Sequence, residues 1–319
     1  MTLPFIDART LSVLMPPAAA VAALEDGLRD GLDPESDAPR LFSPLAAGEF
    51  LLMPAESSRY AGIKVVTVAP ENPSRGQPKI QGTYLLFDAQ TLTPLAAFEG
   101  AELTLIRTPA VTAMAVKHML AAGGRESIDR LVVLGTSLQA ARHIQAVTAI
   151  MAVAEVVIIG RSGSPADDHA RELARACAGR SADARAGGHS DIPGAEAIIS
   201  ATSSPTPVFD GSAVASDAVV AAIGAHGLGA REIDEGLVRR SDIVVEGRAS
   251  ALRESGNLMS ARSGAEWEHH RVTNLAELVA GGFRRTPGAP SLYSGVGMSW
   301  EDLVVASGAF EQTGATMGT

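Results

Sequence analysis

The sequence predicts an α/β protein in which a doubly wound parallel sheet is joined to a second domain built on a mixed sheet. Three observations predict it. Residues 130–140, RLVVLGTSLQA, pass from an apolar strand through a glycine turn into a helix, and residues 154–162, AEVVIIGRS, add a second buried strand. From there to residue 246 apolar runs alternate with helical stretches, the pattern of a Rossmann-type parallel sheet. Before residue 117 short apolar runs sit between Pro, Gly, Asn and Asp, which reads as strands joined by turns in an antiparallel or mixed sheet.

Composition bounds the reading. With 319 residues, 46% of them hydrophobic, the chain suits two domains and can bury a sizeable core. The net charge of −10 argues against a nucleic-acid surface. A single cysteine, Cys177, excludes an internal disulfide and a cysteine-based zinc site. No apolar run is long enough to span a bilayer. The apolar stretch 18–24 is hemmed in by Asp7, Arg9, Pro16, Pro17, Glu25 and Asp26, so it reads as part of a helix and not as a leader. A cytoplasmic protein with no membrane partner is the expectation.

The elements follow in order. Residues 17–32 form an amphipathic helix with proline in its first turn. EFLLMPA, GIKVVTVAP and QGTYLLFDA read as strands, and residues 71–79, ENPSRGQPK, connect two antiparallel strands. Residues 108–121, apolar on most faces, form a helix leading into the second region. There strands are expected at 131–134, 156–159, 197–200, 219–223 and 243–246, with helices at 138–151, 165–178 and 231–239. Residues 291–310 hold a turn and then a final helix after MSWED.

The glycine turn carries a cofactor signal. A pyrophosphate needs backbone N–H groups at a helix start with no side chain in the way. Gly135 supplies the tight turn, Ser137 stands where a second glycine is usual, and Ala140 is small enough for the helix to pack on its strand. Thr136, Leu138 and Gln139 complete the segment that would face the phosphates. The second strand ends on Gly160, Arg161 and Ser162, where an NAD site usually has a carboxylate for the ribose 2′-hydroxyl. Arg161 can grip a 2′-phosphate with paired charged hydrogen bonds, and Ser162 adds a donor. The expectation is NADP(H) over NAD(H), with a solvated surface arginine as the alternative. Thr202 and Ser203, after the strand at 197–200, are cofactor contacts or simple turn residues.

With these residues in view, the chain resembles the ornithine cyclodeaminase/mu-crystallin family over nearly its whole length. The segments that carry the resemblance are LLMPA (51–55), GIKVVTVAPENPSRGQPKIQGTYLLFD (62–88), LTLIRTPAVTAMA (103–115), VVLGTSLQA, IGAHGLGAREID (223–234), ALRESGNL (251–258) and GVGMSWEDL (295–303). It implies a dinucleotide-binding domain of residues 117–294. It also implies a substrate-binding and dimerisation domain of residues 1–116, joined by the C-terminal segment 295–319, in a homodimer. The implied substrates are small α-amino or α-imino acids. The implied substrate residues are Arg40, Lys64, Arg107 and Met53, and the implied cofactor contacts include Thr108 and Met298. Arg107 lies just before the connecting helix, and its planar guanidinium suits bidentate recognition of a carboxylate. Lys64 lies inside an apolar strand. Burial lowers an ammonium's pKa, so a lysine aimed at a cleft can exchange protons near neutrality. The alternation of its strand instead points Lys64 outward, as a snorkelling surface lysine.

The resemblance also orders the reactions. Ornithine cyclodeaminases carry an aspartate shortly after the strand that ends near Ile223, and the matching position here is His226. That departure resembles the mu-crystallin type, in which ketimine reduction is the activity. The implied reaction is NADPH-dependent reduction of a cyclic imino acid, Δ1-pyrroline-2-carboxylate or Δ1-piperideine-2-carboxylate, to proline or pipecolate. Lys64 steadies the carboxylate or relays a proton, and His226 is an acid near neutral pH or a packing residue. Ornithine cyclodeamination and an alanine-dehydrogenase-like oxidation stay open as neighbours. So does an NADPH-dependent ligand-binding protein without turnover.

The remaining charged residues read more simply. Glu232 and Asp234 in REID, and Glu301 and Asp302 in SWEDL, start or cap helices. Glu56, after MPA, reaches the substrate site or solvent. His269 and His270 lack further ligands at metal spacing, so no metal is expected. Trp267 and Trp300 read as packing residues, and no Ser-His-Asp or Cys-His pattern stands out.

Overall fold

The computed structural model describes residues 3–161, 165–177, 182–224 and 227–317. The chain divides into two compact units, Met1–Thr108 with Met298–Thr319, and Pro109–Gly297.

The first unit is built on a six-stranded sheet of β1 (Phe5–Ile6), β2 (Leu41–Leu45), β3 (Gly48–Glu56), β4 (Tyr60–Val68), β5 (Ile80–Asp88) and β6 (Pro94–Glu99). The strands lie in the order β1-β6-β5-β4-β3-β2, antiparallel except for the β1–β6 pair. The sheet is therefore mixed, as the sequence predicts. Register places Met53 opposite Lys64 and Lys64 opposite Tyr84, so the three side chains share one face across β3, β4 and β5. On β4 that face is the buried one: Gly62, Lys64 and Val66 are buried, whereas Ile63, Val65 and Thr67 are partly exposed. The outward orientation expected for Lys64 is thus corrected. Alternation told the two faces apart but not which one the helices would cover. The final helix, Ser299–Met317, packs against β3, β4 and β5, and the helices Ala8–Leu14 and Pro17–Arg29 pack beside it.

Two helix starts in the first unit differ from expectation. The connecting helix spans Gly100–Ala122, not 108–121, with Pro109 inside it. The Glu99 carboxylate accepts from Ala101 N at 3.2 Å and Glu102 N at 2.6 Å, capping the added turns. Arg107 is consequently on the helix and not before it. The final helix begins at Ser299, so SWED forms its first turn. The Asp37 carboxylate accepts from Ser299 N at 3.0 Å and Trp300 N at 3.1 Å, supplying the cap from a distant segment.

The second unit holds an eight-stranded parallel sheet: β7 (Ser127–Leu134), β8 (Ala152–Ile159), β9 (Asp183–Ala186), β10 (Ala197–Ser200), β11 (Val219–Ala222), β12 (Asp242–Val245), β13 (Val272–Asn274) and β14 (Ser291–Ser294). The order is β13-β12-β14-β11-β10-β7-β8-β9. The chain winds outward from β7 through β8 to β9, then returns to β10 on the other side of β7. This reversal is the topological switch point of a Rossmann-type sheet, where ligands bind outside the carboxyl ends of the strands. Val132, Leu134, Val157, Ile198, Val220 and Leu292 belong to one buried core on the sheet. The strand β14 replaces the turn expected there. SLYS has little apolar signal of its own and is held by parallel pairing to β11 and β12. Among the described residues no single helix is long and apolar enough to cross a membrane.

Candidate active site

In the first unit four charged side chains meet away from water. Lys64 Nζ lies 2.7 Å from Asp302 Oδ2, and these side chains are 3% and 0% exposed. Lys64 Nζ also donates to Thr104 Oγ1 at 3.3 Å, and that hydroxyl donates to Gly100 O. Arg107 places Nη1 2.5 Å from Glu301 Oε2 and Nε 3.4 Å from Asp302 Oδ1. Three elements bring these groups together. Lys64 comes from the buried face of β4, and Arg107 comes from the first part of the connecting helix. Glu301 and Asp302 come from the first turn of the final helix.

Burial pushes the Lys64 ammonium down to about 8, with the Arg107 and Arg40 charges acting the same way and Asp302 opposing them. Lys64 can therefore gain or lose a proton near neutral pH. Tyr84, opposite Lys64 on β5, is fully buried and its hydroxyl has no hydrogen-bond partner among the described residues. Burial, with Asp302 and Asp37 nearby, raises the pKa of that hydroxyl well above its ordinary value, so it stays a neutral donor. A Cβ at Gly62 would stand 2.0 Å from the Tyr84 hydroxyl, so the glycine makes room for it.

The other substrate and cofactor candidates of this unit are placed in different ways. Arg40 is half-buried and its charge is felt at Lys64. Met53 is buried on the Lys64 face. Met298 is buried and its N–H donates to Glu301 Oε1 at 3.1 Å. Thr108 is half-buried on the connecting helix. Glu56 lines a cavity of about 820 Å³ with Asp37, Gly62, Ile63 and Trp300.

In the second unit the nucleotide candidates gather at the carboxyl ends of β7, β8 and β10. Gly135 has φ +116°, and a Cβ there would lie 2.5 Å from Ala201 O, so only glycine lets β7 end this close to β10. Ser137 is the N-cap of the helix Leu138–Ile150, accepting weakly from Ala140 N at 3.4 Å. Ser137 and Leu138 are exposed, Thr136 and Gln139 are half-buried, and Ala140 is buried against the strand. The Gln139 Oε1 atom is buried without a hydrogen-bond partner among the described residues. Arg161 is exposed at the end of β8. Ser203 is exposed, whereas the Thr202 hydroxyl is engaged: it donates to Glu232 Oε1 at 2.7 Å and accepts from Ser204 N at 3.3 Å. Ser162 and His226 lie outside the described residues.

Glu232 departs from its expected role. Asp234 does cap the helix Glu235–Arg240, but Glu232 is fully buried and gathers the strand ends. Its Oε1 accepts from Ser200 Oγ, Thr202 N and Thr202 Oγ1 at 2.7–2.8 Å, and its Oε2 accepts from Gly224 N at 2.7 Å. Burial outweighs these bonds and raises its pKa. Glu246 does similar work, accepting from Val296 N and Gly297 N, each at 2.8 Å. Among the described residues no group of three or more His, Cys, Asp or Glu could hold a metal ion.

The sequence reading missed Asp302, Glu301 and Glu232 as partners of other groups. A signal for the first two existed. Lys64 and Arg107 both sit in apolar surroundings, and buried cations require counter-charges. The adjacent carboxylates in an otherwise apolar helix were the available pair.

The profile of the ornithine cyclodeaminase/mu-crystallin family matches residues 12–316. A Δ1-pyrroline-2-carboxylate/Δ1-piperideine-2-carboxylate reductase of Azospirillum brasilense is 34% identical over 307 residues, covering 94% of this chain and 93% of the relative. The ketimine reductase mu-crystallin of Rattus norvegicus is 30% identical over 306 residues, covering 93% and 91%. The structure of Thermococcus litoralis Δ1-pyrroline-2-carboxylate reductase in complex with NADH and L-proline superposes with a TM-score of 0.83 at 25% identity, covering 97% of each chain.

Proposed function

The chain belongs to the ornithine cyclodeaminase/mu-crystallin family, and we propose that within it the protein is an NADPH-dependent reductase of cyclic imino acids. Its substrates are Δ1-pyrroline-2-carboxylate or Δ1-piperideine-2-carboxylate, and its products are proline or pipecolate. The observation that carries this reading is the buried Lys64 beside Arg107, a protonatable group and a carboxylate fork in one place. The printed activities of the relatives support it.

The residues present fit a nicotinamide dinucleotide. The first turn of a helix leaves backbone N–H groups without intrahelical partners. Here that turn opens on the exposed Ser137 and Leu138 at the switch point, behind a glycine that no other residue could replace. Gly135, Thr136, Ser137, Leu138 and Gln139 would hold the pyrophosphate, and Arg161 a 2′-phosphate, which favours NADP(H). When bound, the nicotinamide supplies a hydride equivalent for the C=N carbon.

The chain's own residues do the rest. Arg107 and Arg40 hold and orient the substrate carboxylate, which contributes several kcal/mol, roughly, to lowering the barrier. Lys64, protonated near neutrality, directs its N–H toward the imine nitrogen and restores the positive charge an iminium needs. The proton given up is regained from solvent after product leaves. A homodimer belongs to the same reading: Leu41, Phe42 and Leu45 leave apolar side chains exposed on the edge strand β2.

The test is a substrate panel. Purified protein is given each cyclic imino acid or ornithine, with NADPH or NADH, while absorbance and ammonia are followed together. Imine-dependent consumption of NADPH without ammonia is expected. Ammonia release from ornithine would replace this reading with cyclodeamination, and cofactor binding without turnover would replace it with a ligand-binding protein.

A further inference from the structure

We propose that Asp302 is a positioning residue for Lys64: its carboxylate keeps the buried ammonium protonated and aimed while bridging it to Arg107. This rests on the reading of Lys64 as the proton-bearing group. Four observations carry it.

The contact is short and dry, with Lys64 Nζ 2.7 Å from Asp302 Oδ2 and both side chains almost fully excluded from water. An ammonium so placed without a counter-charge would lose its proton. Second, Asp302 touches both cations, since its Oδ1 lies 3.4 Å from Arg107 Nε. Third, neither oxygen of Asp302 meets hydrogen-bond geometry with any group among the described residues. Its charge is answered through the ion pairs with Lys64 and Arg107. Fourth, the work of starting the final helix falls elsewhere. Asp37 takes the N–H groups of Ser299 and Trp300, and Glu301 takes that of Met298. Asp302 is therefore released from the capping role its sequence position suggests.

Every element packed around Lys64 supports the same account. The final helix presents Asp302, with Glu301 beside it on Arg107. The connecting helix presents Arg107 and the neutral Thr104. The strand β5 presents the neutral Tyr84, and the segment before β2 contributes the charge of Arg40, while Asp37 is felt at Tyr84. Of these, Asp302 is the one that favours the charged lysine, and Arg107 and Arg40 oppose it. Removing the Asp302 charge therefore lowers the pH at which Lys64 gives up its proton.

The chain has three lysines, Lys64, Lys79 and Lys117, which makes the titration directly observable. Protein labelled with 13C at the lysine ε-carbons is titrated as wild type, Asp302→Asn and Asp302→Glu, with Lys64→Met assigning the resonance. The pH profile of imine reduction is recorded for the same proteins. In wild type the Lys64 midpoint is expected near pH 8, and kcat/KM falls above it. In Asp302→Asn both the midpoint and the alkaline limb move down by at least one pH unit, a loss of about fivefold or more in activity at pH 8, while Lys79 and Lys117 do not move. Asp302→Glu restores most of the shift.

A Lys64 midpoint unchanged in Asp302→Asn overturns the proposal. If the asparagine variant does not fold, a wild-type midpoint below pH 6 overturns it, because the carboxylate would then not be holding the proton. A wild type that titrates as expected but reduces no imine leaves Asp302 in place and removes the functional reading instead.

Discussion

Asp302 in the first unit and Glu232 in the second are both carboxylates excluded from water, and they are satisfied in opposite ways. Asp302 is answered by two cations, Lys64 and Arg107, at 2.7 and 3.4 Å. Glu232 is answered by neutral donors, two hydroxyls and two backbone N–H groups. The difference separates chemistry from scaffolding. A charge balanced by charges can be redistributed when an anionic ligand arrives, because an ammonium and a guanidinium can each pair with more than one carboxylate. A charge balanced by backbone groups cannot move without unpairing the loops it holds.

The comparison is sharpened by substitutions on each side. The largest effect is expected in the first unit. Lys64→Ala and Arg107→Ala should each lower kcat/KM for the cyclic imino acid by about 10³-fold, roughly 4 kcal/mol in the barrier. Cofactor affinity, followed by nicotinamide fluorescence, should stay nearly unchanged. Equal loss of cofactor affinity would mean that these cations serve the nucleotide and not the substrate.

Next comes Glu232→Gln. The amide NH2 would oppose one of the donors that now point at a carboxylate oxygen, costing about 1–3 kcal/mol. Thermal unfolding should show a lower midpoint than in wild type. A variant as stable as wild type would erase the distinction between the two carboxylates. The smallest effect belongs to Arg161→Ala, expected to weaken NADPH binding about tenfold, or 1.4 kcal/mol, and to leave NADH binding as it was. Titration with both cofactors reads this directly.

Much of the second unit was legible in the sequence because its signals are local. Parallel strands buried on both faces appear as unbroken apolar runs, as in Leu131–Leu134 and Ala197–Ser200. Gly135 is required by a close approach between neighbouring strand ends, and such a glycine stands at a fixed offset from its strand. The strand β14 was not legible, since two of its four residues are serines held by pairing partners far along the chain.

The first unit hid its chemistry for a different reason. Lys64 and Arg107 were visible as cations in apolar segments, but their partners lie some two hundred residues onward in a helix that folds back onto the sheet. Local rules read Glu301 and Asp302 as helix starters, and for Glu301 that was half the answer, because one of its oxygens does cap Met298 N. The connecting helix misled in the same way. The apolar pattern marks a helix from residue 108, and the cap at Glu99 that carries it further back shows only in three dimensions.

The central claim is that Arg107 receives the carboxylate of a cyclic imino acid while Lys64 faces its ring nitrogen. A crystal structure of the protein with NADP+ and L-proline tests it most directly. The account expects the proline carboxylate within about 3 Å of the Arg107 guanidinium, with Lys64 still against Asp302 and facing the ring nitrogen. Proline bound elsewhere, with both cations engaged only by Glu301 and Asp302, would contradict it.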